Sequence, residues 1–405
     1  MVKLDKPLLL MLVIVLASCS LAGPVAASQD SPVAVTHTSM SSTPGSPNVT
    51  PIATATDEPP TPTSIPVIPS LNDDQLKSQV DRLAMKFLKG TRNPGLSVSV
   101  IIRDPDSGEL KAMLLNYGTP FKDGKQPTDS RTVYELGSIT KLFTGILLAE
   151  AVNAGEVKLA DPIQAYLPDG IQAPLYDNIP ISLVNLATHR SGLPRDLNTD
   201  NSSFLYAWLN NFRLAIAPGS EYIYSNLGYG ILGDILARNA KSDFGTLVFQ
   251  SVSQPLGLSD TREVLTGDQR TRLAKGYGYE GTLVQYEPEA GAMSGAGYMH
   301  STLDDLTRFL MENIDPASTS ISASLELAQS MQSVGRNPRS GTGLGWEIDY
   351  PDKSYERLWK GGATYGFSSY ISFVKDGSSG FILLTNGQYV DKLALSMESL
   401  LNELH

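Results

Sequence analysis

The chain has 405 residues, 41% of them apolar, enough for one large domain or two ordinary ones with a substantial core. Its 31 Lys+Arg stand against 42 Asp+Glu, a net charge of -11 with no Lys/Arg-rich block, which disfavours nucleic acid and anionic lipid surfaces as binding partners. One cysteine excludes an intramolecular disulfide and any CxxC site, and the four histidines (His37, His189, His300, His405) are too far apart in sequence for a local metal motif such as HExxH.

Residues 1–18 read as a signal peptide: Lys3 and Lys6, an apolar run from Leu8 to Ala17 too short to span a membrane, then Ser18 before the single cysteine. Leu16-Ala17-Ser18-Cys19 resembles the lipobox of bacterial lipoproteins, which implies cleavage and acylation at Cys19 and a domain anchored in the cell membrane, facing the periplasm or wall. The other reading is secretion, with cleavage after Val25-Ala26-Ala27. Residues 19–71 are expected to form a disordered tether, since 27 of the 51 positions from 20 to 70 are Pro, Ser or Thr and only Asp30, Asp57 and Glu58 are charged. Such a coil spans roughly 40 Å, and on the order of 100 Å when extended. The first 70 residues carry a net -2, so the remaining -9 belongs to the part expected to fold, residues 72–405.

From there the pattern changes to helical spacing, with Leu76, Val80, Leu83, Phe87 and Leu88 on one face until Pro94-Gly95 breaks the run. Strand-like stretches over 96–102 and 110–118 flank the turn Asp106-Ser107-Gly108, which predicts a hairpin. A second hairpin is expected at the far end, 367–374 and 380–386 around Lys375-Asp376-Gly377. A closing helix over about 391–404 then carries Leu393, Met397, Leu400, Leu401 and Leu404 on one face. Strands at both ends and helices between them predict an antiparallel sheet closed by the two chain ends, with a helical region packed beside it.

Three short motifs bear chemistry. Ser138-Ile139-Thr140-Lys141 is an SxxK at the start of the helical run Leu142 to Leu148, so Lys141 would lie one turn from Ser138 on the same face. A desolvated lysine there can take the serine proton, while helix-end amides favour an oxyanion. The other reading is a capping serine and a solvated lysine, and SxxK alone is a weak signal. A second SxxK, Ser372 to Lys375, falls on a strand pattern where the two side chains point to opposite faces.

Tyr224-Ser225-Asn226 precedes the helical run Leu227 to Ala240; a phenol beside a cation can relay a proton and the Asn amide can hold a substrate carbonyl, against the alternative of a buried Tyr and an N-cap. Lys360-Gly361-Gly362 follows Arg357-Leu358-Trp359; strand glycines admit a ligand backbone and Lys360 offers charge to a carboxylate, against a glycine-rich turn beside a surface lysine.

In this order and spacing the motifs resemble the active-site serine family of penicillin-binding proteins and class C β-lactamases, as do LGSITKLFTGILLAEAV, PGSEYIYSNLGYGILGDIL, SGAGYMHSTLDDLTRFL, GLGWEI and GGATYGFSSY, over a span from about Asn72 to the C-terminus. The resemblance implies an α/β (α+β) fold: a mostly antiparallel sheet flanked by helices on both faces, plus an all-helical region. It implies Ser138 as acylated nucleophile, Lys141 as its base and Tyr224 as proton shuttle. Asn226, Lys360, Gly361, Gly362 and Ala363 would bind substrate, with the amides of Ser138 and Ala363 as oxyanion hole and no metal or organic cofactor.

The family usually has Thr or Ser at the position of Gly361, where a hydroxyl helps bind a carboxylate, so an esterase-like role gains ground there. Ser225 after the tyrosine looks more like D-Ala-D-Ala carboxypeptidases than class C β-lactamases. The expectation is an exported serine hydrolase acting through a Ser138 acyl-enzyme, a D-Ala-D-Ala carboxypeptidase/endopeptidase on peptidoglycan peptides for which β-lactams would be acylating ligands. Its rivals are a class C-like β-lactamase, a small-ester or D-amino-acid amide hydrolase, and a non-hydrolytic receptor for penicillin or wall peptides. His189 reads as structural, and Arg190 and Arg195 as solvated or entrance-lining residues.

Overall fold

The structure is a computed structural model that describes residues 73–402 except 198, 200, 286–290 and 351–354. The expected signal peptide (1–18), Cys19, the tether (19–71) and Leu404 lie outside the described residues.

Helix α1 (Asp73–Gly90) has two aspartates in its first turn and Lys89 in its last, the charge order that suits a helix dipole, and it buries Leu76, Val80, Ala84 and Phe87. It leads into β1 (Gly95–Arg103), which pairs with β2 (Leu110–Gly118) in an antiparallel hairpin. In the connecting turn the Asp104 carboxylate accepts the amides of Asp106 and Ser107, and Gly108 adopts φ +73°.

Two short ladders follow, β3 (Tyr134–Glu135) with β6 (His300–Ser301) and β4 (Leu175–Tyr176) with β5 (Ile179–Pro180). The remaining strands come late: β7 (Ser333–Val334), β8 (Ser340–Thr342), β9 (Glu347–Asp349), β10 (Arg357–Ala363), β11 (Ser368–Val374) and β12 (Ser379–Thr385). They join the first hairpin in one antiparallel sheet of order β2-β1-β12-β11-β10-β9-β8-β7, so β1 and β12, from the two ends of the fold, lie side by side. The expected sheet closure is found, as are both hairpins. The two- and three-residue strands β7 to β9 were not foreseen, because so few residues carry no readable alternation.

Between the hairpins run α2 (Thr140–Asn153), α3 (Leu183–Ala187), α4 (Ser202–Asn211), α5 (Asn226–Asn239), α6 (Phe244–Val248), α7 (Gly267–Arg272), α8 (Ser294–Gly297), α9 (Leu303–Ile314) and α10 (Ser322–Gln329), and α11 (Val390–Asn402) closes the chain. The sheet separates two apolar cores. Leu96, Val98 and Val100 of β1 and Phe381 and Leu383 of β12 pack under α1 and α11. Their strand neighbours Ile101, Ile382 and Leu384 face the other way, into a larger core with Phe309 of α9 and the buried residues of α2 and α5. Helices therefore cover both faces, with an all-helical region built around α2, α5 and α8. Among the described residues no helix is long and apolar enough to cross a membrane.

Candidate active site

Ser138 lies in a 3-10 turn, Gly137–Ile139, that runs directly into α2. Two glycines bring strand β10 against this turn. Gly137 holds φ +52°, and a methyl on it would come within 2.6 Å of the Ala363 nitrogen. A methyl on Gly362 would meet the Leu136 carbonyl oxygen at 2.0 Å and the Ser138 nitrogen at 3.1 Å. The Ser369 hydroxyl donates to that same Leu136 carbonyl at 2.8 Å, pinning turn and strand together. The amides of Ser138 and Ala363 are thus brought into the same small space.

Helical geometry sets Lys141 beneath the serine. Its Nζ donates to Ser138 Oγ at 3.1 Å, to Asn226 Oδ1 at 2.8 Å and to the Ala296 carbonyl of α8 at 2.5 Å, and the side chain is fully buried. Those acceptors are all uncharged. Burial therefore pushes the Lys141 ammonium below its usual range, opposed by the nearby Tyr224 phenol and reinforced by Lys360. Tyr224 OH lies 2.6 Å from Ser138 Oγ. Its ring is surrounded by cations, with Lys141 Nζ at 5.1 Å, Arg195 Cζ at 4.9 Å and Lys360 Nζ at 5.6 Å from the centroid. Burial alone would raise the phenol, but Lys141 and Lys360 more than offset it and bring it down to about 8.

Tyr224 is positioned from α5. Ser225 caps that helix by accepting the Gly228 amide at 2.9 Å, and its hydroxyl donates to the Pro194 carbonyl at 2.7 Å. His189 Nδ1 accepts the Ser225 amide at 3.1 Å, and the imidazole packs against Tyr224 with centroids 4.3 Å apart. Burial, with Lys360 and Lys141 nearby, keeps His189 neutral well below its ordinary range, in line with the structural reading from sequence.

The structure brings Ser138, Lys141, Tyr224, Asn226, Lys360, Gly362 and Ala363 into one constellation and turns Gly361 away from it. Lys360 is buried, and its ammonium is held by Glu347 Oε1 at 3.1 Å. Glu347 also accepts Tyr222 OH at 2.9 Å. The Asn226 amide nitrogen donates to Asp196 at 2.6 Å. A methyl on Gly361 would meet the Tyr370 ring at 3.6 Å and Asp391 at 3.7 Å, on the α11 side of the strand. In the second SxxK, Ser372 is buried in β11 while Lys375 Nζ reaches Gln329.

Glu347, Asp196 and the Ala296 carbonyl went unnoticed in the sequence reading. An acid inside the apolar GLGWEI run was the one signal for Glu347. Beside the constellation opens a cleft of about 530 Å³ lined by Arg190, Glu221, Tyr222, Tyr224, Gly335 and Arg336. Of the two arginines expected at an entrance, Arg190 lines it, while Arg195 stacks on Tyr224. Among the described residues no His, Cys, Asp and Glu cluster could hold a metal ion.

A serine oxygen bonded to both a desolvated amine and an acidified phenol is an arrangement for acyl transfer. The Beta-lactamase family model matches residues 80–403. A β-lactamase of Pseudomonas fluorescens is 30% identical over 350 residues, 78% of this chain and 94% of that protein. The D-alanyl-D-alanine-carboxypeptidase/endopeptidase AmpH of Escherichia coli is 28% identical over 337 residues, 76% of this chain and 83% of the relative. The crystal structure of a β-lactamase/D-alanine carboxypeptidase from Yersinia pestis, complexed with citrate, superposes with a TM-score of 0.71 at 25% identity, covering 82% of this chain and 99% of the other. The chain therefore belongs to the β-lactamase family and is a serine hydrolase of that family.

Proposed function

We propose that the protein is an exported, lipid-anchored D-alanyl-D-alanine carboxypeptidase/endopeptidase acting on peptidoglycan peptides through a Ser138 acyl-enzyme. The observation that carries the chemistry is Ser138 Oγ within hydrogen-bond reach of both Tyr224 OH and Lys141 Nζ. In acylation the Oγ–carbonyl bond forms as the serine proton passes to the Tyr224–Lys141 pair. The oxyanion falls between the amides of Ser138 and Ala363, and the C–N bond breaks with the proton delivered to the departing amine. Water then attacks the ester with the same pair as base, and Ser138 is restored. Asn226 would orient the substrate amide on exchanging its contact with Asp196. The carboxypeptidase reading is supported by the Tyr-Ser-Asn triplet, by the AmpH relative and by the Pro/Ser/Thr-rich segment that would let an anchored domain reach the wall. A β-lactamase reading has its own support in the relative at 30% identity, and the two differ in how fast the acyl-enzyme is hydrolysed.

The test is to purify the full chain from membranes, incubate it and Ser138→Ala with a fluorescent penicillin, and follow intact mass over time. A long-lived adduct lost in Ser138→Ala supports the peptidase, and rapid turnover without accumulation supports the β-lactamase. Ester cleavage that needs Ser138 while penicillin leaves no trace would overturn both in favour of an esterase. The same spectra read the N-terminus: a mature chain beginning at an acylated Cys19 supports the anchor, and one beginning elsewhere without lipid removes it.

A further inference from the structure

The stretch from His189 to Arg195 receives the amides around Tyr224 one after another. Ile223 donates to the His189 carbonyl at 2.7 Å, Ser225 to His189 Nδ1 at 3.1 Å and Asn226 to the Arg195 carbonyl at 2.7 Å. His189 thus accepts from both residues that flank Tyr224. Its imidazole also lies against the phenol ring, 32° from parallel. A single residue fixes the backbone before the tyrosine, the backbone after it and the plane of its ring.

Two features distinguish His189 from a residue that only fills space. Its backbone sits at φ +58°, the left-handed region that residues other than glycine seldom enter. Its Nε2 is buried without a hydrogen-bond partner among the described residues. Because Nδ1 accepts an amide, the imidazole is neutral and Nε2 bears its proton. Both features cost stability, and a buried phenylalanine would have a similar shape with no orphaned donor. What imidazole adds is the Nδ1 lone pair, aimed at the amide that follows Tyr224.

The groups facing the ring are the phenols of Tyr222, Tyr224 and Tyr229 and the cations Lys141, Lys360, Arg195 and Arg336, with Glu347 behind Tyr222 and Lys360. The cations oppose a second proton on the ring, so the acceptor is kept.

We propose that His189 is a positioning residue for acyl transfer: as a neutral acceptor it sets the reach of Tyr224 OH to Ser138 Oγ and keeps the phenol among its cations. The inference rests on Ser138 as nucleophile and Tyr224 as the group that moves its proton.

The experiment uses the full chain and separates the acceptor from the ring. His189→Asn puts Oδ1 near the place of Nδ1 and tolerates a positive φ, whereas His189→Phe keeps a ring and loses the acceptor. Stopped-flow acylation by a chromogenic ester is followed over ester concentration and pH, with rates taken per folded molecule. In His189→Phe the rate constant should fall about 10- to 100-fold at an unchanged half-saturating concentration, the range for a reacting group displaced by about 1 Å. Its pH limb, at about 8 in the wild type, should move up toward that of an ordinary tyrosine as Tyr224 leaves its cations. His189→Asn should restore most of the rate and return the limb. A wild-type rate in His189→Phe, or equal losses in both variants with the limb unmoved, overturns the proposal while Ser138 chemistry stands. Histidine-selective 15N NMR of the wild type needs no variant to fold. A His189 with bare Nδ1 and protonated Nε2 from pH 5 to 9 supports the proposal, and one that titrates there or carries its proton on Nδ1 overturns it. A wild type that acylates without that limb removes Tyr224 from proton transfer, and this inference with it.

Discussion

The sheet divides two buried charge clusters that handle charge in opposite ways. Under α11, Arg357 meets Glu398 at 2.6 Å and Asp349 at 3.0 Å, Tyr370 OH donates to Glu398 at 2.8 Å, and Trp359 Nε1 donates to Asp349 at 2.8 Å. Every full charge there faces an opposite one. On the other side, fully buried Lys141 has only a hydroxyl, an amide oxygen and a backbone carbonyl as acceptors. Desolvation without a counter-ion destabilises its charged form and makes a neutral amine accessible for proton transfer. A buried cation that is fully paired holds a fold together, and one left without a carboxylate is available for chemistry.

The largest expected effect follows from breaking the second cluster. Tyr224→Phe removes the phenol that bonds Ser138 and should cut the acylation rate by about 10²- to 10⁴-fold. With Tyr224 near 8, its basic form accumulates as pH rises, so wild-type acylation climbs toward a plateau above that value and falls below it. In Tyr224→Phe that limb should vanish, leaving any residual pH dependence to Lys141. Stopped-flow acylation by a chromogenic ester between pH 5 and 10 measures both, and an unshifted limb in the variant would remove Tyr224 from the proton path.

A smaller effect, on stability instead of rate, is expected from the paired cluster. Glu398→Gln keeps the shape and the contact with Tyr370 but strips Arg357 of its nearest counter-charge. Removing one partner of a buried pair costs about 3 kcal/mol. The urea midpoint should fall with an unchanged slope while kcat/KM of the folded enzyme is retained. A rate loss with unchanged stability would mean that the two clusters communicate through β10.

What the sequence revealed of all this depended on range. Amphipathic spacing placed α1 and α11, and turn residues placed both hairpins, because those patterns are local. The order Ser138, Tyr224, Lys360 pointed to one pocket, but it could not show that Lys360 is neutralised by Glu347 or that Asn226 is held by Asp196. Those partners lie 13 and 30 residues away, on a three-residue strand and in a loop, where no periodicity marks them. Arg336 escaped for the same reason. Its turn enters the cleft only because β7 and β8 extend the sheet past the strand that carries Lys360.

The smallest expected effect concerns Gly361, read from sequence as the departure that weakens carboxylate binding. A methyl there finds ordinary contacts, 3.6 Å to Tyr370 and 3.7 Å to Asp391, and the backbone lies in a strand that any residue can adopt. Gly361→Ala should therefore change stability by no more than about 0.5 kcal/mol. It should also leave acylation of Ser138 near the wild-type rate, since the added group points toward α11. Gly362→Ala is the control: its methyl would stand 2.0 Å from the Leu136 carbonyl and prise β10 from the nucleophile turn, so acylation should collapse. Thermal unfolding and stopped-flow acylation of the two variants decide the matter. A loss of acylation in Gly361→Ala as deep as that in Gly362→Ala would mean that Gly361, too, bears on the nucleophile turn.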